Sequence, residues 1–181
     1  MNTEKRELLR LMVLFITFDF YVKLLFCSDN IFAVGHYYSS TSNHNRAELY
    51  NLDTDMWTTT GHYPFSSYIH GASVVNHNKA FFVIGGWIEE TVYSRLIASF
   101  DPIAEVWNVA GSLQKSRRGH GAVKFGSNFM VVGGYGENSS LPTELCEVKG
   151  NLNVSCFEQE PNLAGYSNYP ELFLVPQNFC S

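Results

Sequence analysis

The stretch HGAVKFGSNFMVVGG, residues 120–134, decides how this chain is read, because the same phrase is written earlier as HGASVVNHNKAFFVIGG, residues 70–86. Each copy is a short apolar run, a polar turn, a stronger apolar run and a pair of glycines, the pattern of an antiparallel hairpin. His70 and His120 lie 50 residues apart, whereas the pairs Gly85 with Gly86 and Gly133 with Gly134 lie 48 apart. The turn therefore reads as two residues shorter in the later copy. A fainter copy, LLFCSDNIFAVGH over 24–36, ends in Gly35, 50 residues before Gly85. Trp57, Trp107 and Phe157 keep the same interval of 50. A period of this length means one supersecondary unit used repeatedly, and it fixes architecture before function.

Composition agrees. The 181 residues are 15% aromatic and include 14 glycines, as strands joined by tight turns require. The 12 basic and 17 acidic residues give a net charge of -5 with no run of one sign. No phosphate-tracking surface follows from that balance, so nucleic acid is not an expected partner. At the front, Lys5, Arg6 and Arg10 lead into an apolar stretch over 11–18 that Asp19 interrupts. Residues 1–21 read as a secretory signal peptide or as a non-propeller leader, and no clean small-residue cleavage site chooses between them. A transmembrane span is not expected, because Arg10, Asp19 and Lys23 fall inside the only window long enough to cross.

Outward from the hairpins, each repeat resolves into four strands. The first has them at 24–26, 31–34, 47–50 and through Trp57, with a polar loop over 37–46. In the second they are at 70–75, 80–84, 95–100 and through Trp107, with a loop over 87–93 and Pro102 in a turn. The third places them at 121–125, 129–132, 144–148 and 154–157, and a fourth repeat begins at 171–175. Four-stranded antiparallel units at this period describe propeller blades.

At this point the chain resembles the kelch-repeat β-propellers of the galactose oxidase-like superfamily. That family's marks are a glycine pair after an apolar strand, an aromatic before a turn, and a tryptophan about seven residues on. Gly85, Gly86, Phe100 and Trp107 match them in the second repeat, and Gly35, Tyr50 and Trp57 in the first. The third keeps Gly133 and Gly134 and puts Phe157 at the tryptophan position. The resemblance implies an all-β fold, a kelch-type propeller of about three four-stranded blades plus a stub. Its repeats would run 22–69, 70–119 and 120–168 with the stub at 169–181, all within one region, 22–181. Propellers close with roughly four to eight blades. An incomplete ring is therefore expected, completed by missing blades, self-association or another partner.

Cys146 and Cys156 flank the turn around Gly150 and Asn151. A hairpin symmetric about Asn151 sets them opposite each other, close enough for a disulfide in an oxidising compartment. Two reduced, partly buried thiols are the alternative. Cys27 and Cys180 have no evident mate. Metal binding is not expected, since no second Cys or His pair stands at ligand spacing. Asn138 and Asn153 each open an Asn-x-Ser acceptor sequence. Together with the cysteine pair and the apolar start, they point to a secreted or extracellular glycoprotein, with a cytoplasmic protein as the alternative.

No cofactor and no catalytic residues are expected. His70 and His120 recur at one repeat position and so read as scaffold, and no nucleophile elbow is present. The resemblance implies a protein-binding module that meets its partner through loops. Tyr37, Tyr38, Trp87, Glu89, Glu90, Arg117, Arg118 and Tyr135 are the candidate contacts, although Arg118 also resembles a kelch framework arginine and Trp87 could simply pack on a neighbouring blade. The alternatives are a cytosolic substrate adaptor of a ubiquitin ligase, an actin-binding protein, or an enzyme on a galactose oxidase-like propeller.

Overall fold

A computed structural model describes residues 23–27, 30–34, 46–64, 69–88, 92–136 and 141–160. The expectations placed on residues 1–21, on Gly35, Tyr37, Tyr38, Glu89, Glu90, Asn138 and Cys180, and on the stub at 169–181 lie outside the described residues.

Three four-stranded blades follow one another. The first contains β1 (Lys23–Cys27), β2 (Asn30–Val34), β3 (Arg46–Asn51) and β4 (Met56–His62). After β5 (Ile69–His70), the second contains β6 (Ser73–His77), β7 (Ala80–Ile84), then β8 (Trp87–Ile88) and β9 (Val92–Tyr93), and finally β10 (Leu96–Asp101) and β11 (Val106–Ser112). The third contains β12 (Gly121–Phe125), β13 (Asn128–Val132), β14 (Thr143–Val148) and β15 (Val154–Gln159). The four long strands of each blade pair antiparallel in succession, β1-β2-β3-β4, β6-β7-β10-β11 and β12-β13-β14-β15, and β8 and β9 stand outside the second blade's sheet.

The strand period of two explains how the blades stack. Along the fully buried β7, Phe81 and Val83 face the first blade while Phe82 and Ile84 face the third. Phe32 of the first blade stacks on Phe81 at 4.5 Å and lies 5.7 Å from Phe100. Trp107 completes this seam, edge-on to Tyr63 at 5.6 Å and donating from its indole nitrogen to Thr60 Oγ1 at 3.2 Å. On the other side Phe82 meets Phe129 at 5.8 Å among Ala110, Leu113, Val131, Cys146 and Cys156.

Three expectations about local structure are corrected. The stretch 70–75 is not one strand, because Gly71 at φ +57 separates β5 from β6. The loop over 87–93 contains β8 and β9, which pair with each other, and β8 also pairs with β5, in a small separate sheet. The repeats also align differently at their start. Ser73 pairs with Ile84 and Gly121 with Val132, so the two inner hairpins hold one offset of 48, and both turns contain two residues, Asn78 with Lys79 and Gly126 with Ser127. Gly71 thus corresponds to Gly119, and His70 to Arg118 rather than to His120.

The third repeat differs from the other two at its outer pair. Tyr50 pairs with Trp57 across β3 and β4, and Phe100 with Trp107 across β10 and β11. At the same ladder position of the third blade Cys146 pairs with Cys156. Phe157, expected at the tryptophan position, is one residue further on and 46% exposed. The two cysteines are joined in a disulfide with Cα atoms 4.0 Å apart, as their facing positions foretold. A compact disulfide thus stands where the other blades carry two aromatic rings. Its small size lets β15 approach β11 and pair with it in parallel at Gly111 and Ser112, which merges two blades into one eight-stranded sheet. Gly111 is required there, since a Cβ would lie 2.3 Å from the Val154 carbonyl oxygen.

Candidate interaction face

The glycine pairs organise one end of the blades. Gly86, at φ +103, donates its N–H to the Arg117 carbonyl, and a Cβ there would meet Ile69 at 2.7 Å. Gly134, at φ +93, has its Cβ position 2.6 Å from the Arg118 carbonyl. Glycine alone admits this crowding and this backbone conformation. The connection between the second and third blades, residues 112–120, is thereby held against the loops that follow β7 and β13. Ser94 accepts from Arg117, Leu113 donates to Arg95, and Arg118 exchanges two backbone hydrogen bonds of 2.8 Å with Tyr135.

Two adjacent arginines in this connection have opposite fates. Arg117 was an expected contact, but it is 0% exposed and belongs to the scaffold. Its guanidinium meets the Glu144 carboxylate at 2.7 Å and donates to the carbonyls of Gly133 and Pro142. Burial pulls its pKa down from the ordinary value, while the charge of Glu144 and its hydrogen bond oppose that shift. Glu144 also accepts from the N–H groups of Gln114 and Lys115, and the Gln114 side chain donates to the Cys156 carbonyl. The connection is therefore fastened to the disulfide-bearing hairpin.

Arg118 faces the other way. Its guanidinium carbon lies 4.4 Å from the centroid of Trp87, 5.5 Å from that of Tyr135 and 5.7 Å from that of Tyr93. His70 flanks Trp87 at 6.0 Å. Of the eight expected contacts, the structure brings Trp87, Arg118 and Tyr135 together and adds Tyr93, which sequence reasoning did not single out. Tyr135 remains 41% exposed. A cation held over several aromatic faces is a rigid patch with both apolar area and donors, the composition that protein interfaces favour.

Asn153 is exposed beside the outer turn of the third blade, whereas the next two residues of its acceptor sequence, Val154 and Ser155, are buried and half-buried at the start of β15. Among the described residues, Glu144, Cys146 and Cys156 bring ligand-type atoms within 4.8 Å of one another. The sulfurs bond each other and the carboxylate is held by Arg117, so the group is structural. No helix among the described residues is long and apolar enough to cross a membrane.

No family model matches the chain. It is 38% identical over 60 residues to Kelch-like protein 15 of mouse and to that of rat, a match that covers 33% of this chain and 10% of each relative. The match thus spans about a tenth of the curated relatives' length. Among solved structures, that of YjhT superimposes with a TM-score of 0.66 at 18% identity, over 81% of this chain and 53% of that one. At that identity the likeness shows the fold.

Proposed function

From the premise that the chain is built of kelch-type propeller blades, we propose that it is a noncatalytic protein-interaction module that works outside the cytosol. The observation that carries the binding reading is the patch of Arg118 over Trp87, Tyr93 and Tyr135, which sits where loops of two blades converge. The fold supports protein binding in general; the patch supplies a place for it. Arg118 offers donors to a carboxylate or backbone carbonyl of the partner, while the rings offer flat apolar area. Wild-type chain and the Trp87→Ala, Tyr135→Ala and Arg118→Ala variants, each with unchanged circular dichroism, should be compared in crosslinking to extracellular proteins and cell surfaces. Capture is expected to drop by about tenfold or more, as for residues central to an interface. Equal capture by all three variants would remove this face from the account.

The extracellular reading is supported by the disulfide at a position where the other blades use aromatic rings. A blade that replaces ring packing with an S–S bond gains from an oxidising compartment and loses in a reducing one. Exposed Asn153 adds an acceptor for an N-linked glycan, as does Asn138 in the sequence. The alternative of a cytosolic adaptor predicts free thiols at Cys146 and Cys156 and no glycan.

A further inference from the structure

We propose that the groove between the inner turn of the second blade and both turns of the third is a binding site for a phosphate or sulfate group. It lies among His77, Asn78, Lys124, Gly126, Ser127, Lys149 and the 150–152 turn, and has a volume of about 500 Å³. The floor and rim carry the exposed lysines Lys124 and Lys149, and no aspartate or glutamate lines it. Its other polar side chains, those of Asn78, Ser127 and Asn151, can all donate hydrogen bonds.

His77 supplies an independent observation. It is 6% exposed, lines the groove, and its buried Nδ1 has no hydrogen-bond partner. A buried polar atom without a partner costs free energy, and an oxyanion or its bridging water would satisfy it. Burial holds the imidazole below its ordinary pKa, and the charge of Lys124 adds to that in the sense expected of an electropositive site. An anion placed here would meet two cations, several neutral donors and no like charge. The groove belongs to the turns that close the hairpins β6–β7, β12–β13 and β14–β15, whereas the Arg118 patch uses the loops that follow β7 and β13, so occupancy of one does not require the other.

The test is a titration of the intact chain followed by amide and imidazole NMR shifts, with inorganic sulfate, inorganic phosphate and N-acetylglucosamine 6-sulfate as probes and sodium chloride at matched ionic strength as control. Saturable shifts at His77, Gly126 and Gly150 are expected with the oxyanions and not with chloride. Tighter binding of the sugar ester than of inorganic sulfate would identify a group carried on a larger molecule, and equal binding a free ion. Lys124→Ala with Lys149→Ala should weaken binding about tenfold by removing two partly solvated charges, while Lys115→Ala, outside the groove, leaves it unchanged. Shifts that do not saturate, that chloride reproduces, or that survive the double lysine variant would overturn the proposal. Because both lysines are exposed, the variants retain the fold and the result can be read directly.

Discussion

Glu144 is 0% exposed, yet it holds the charge of Arg117 and two backbone N–H groups of the connection that presents Arg118. Replacing it with alanine leaves a guanidinium buried without its counter-charge, a loss of about 3 to 5 kcal/mol. Urea denaturation should show that loss, and the double variant Arg117→Met with Glu144→Leu should recover much of it, since the uncompensated charge is then gone. His77 gives a pH prediction. Its folded-state pKa lies below the ordinary value of 6.5, so the unfolded chain binds the proton more readily. Its contribution to stability is present above that ordinary value and declines as pH falls below it. Melting curves should show His77→Gln flattening this acid-side slope, and an unchanged slope would place the titration elsewhere. At this scale the sequence was only partly informative. Arg117 and Arg118 sit side by side in an aperiodic connection, and nothing in their order says which turns inward. Glu144 left a clearer signal, a charge two residues before Cys146 and so on the same face of its strand, where a buried partner is implied.

The seams between blades show how one exchange of side chains alters an element. Between the first and second blades, Trp107 stands as a wedge and joins β4 only through side chains such as Thr60. Between the second and third, the disulfide occupies less width and β15 pairs with β11 through the backbone. Replacing Cys146 and Cys156 with serine should cost about 2 to 3 kcal/mol, given the short loop that the bond closes. Phenylalanine at 146 with tryptophan at 156 should instead rebuild an aromatic seam and push the strands apart. Hydrogen exchange would report that change as faster exchange at the backbone pairs between β11 and β15 with β14 to β15 still protected; unchanged protection would refute the wedge argument. Strand positions were legible from the glycine pairs, because each closes a five-residue apolar strand, fully buried in β7 and mostly buried in β13. The register at the repeat start was not, since the matching His-Gly-Ala triplets at an interval of 50 compete with a ladder whose interval is 48. The ladder wins because both hairpins close through two-residue turns, His77 pairing with Ala80 and Phe125 with Asn128, which fix the register of the strands on either side. At the outer pair the interval from Trp107 to its equivalent Cys156 is 49, so an interval of 50 lands one residue late, on Phe157.

For the molecule as a whole, three stacked blades, two aromatic and aliphatic seams and one glycine-crowded end follow from the repeat. Trp57 is the exception among the framework aromatics. It occupies the position of Trp107 yet is 50% exposed, as the described residues place no further blade against that face. The repeat made the propeller legible because its marks are scaffold residues; in the Arg118 patch only Trp87 and Tyr135, each directly after a glycine pair and 48 residues apart, share that period, whereas Arg118 and Tyr93 do not. The compartment is the claim on which the roles of the disulfide and the acceptor asparagines both turn. It is tested most directly by expressing the full chain in secretion-competent cells and comparing medium with lysate, on reducing and nonreducing gels, before and after removal of N-linked glycans. The account predicts a glycan-dependent shift lost on Asn138→Gln with Asn153→Gln, together with a Cys146–Cys156 bond. An unglycosylated product held in the cytosol with both thiols free would contradict it.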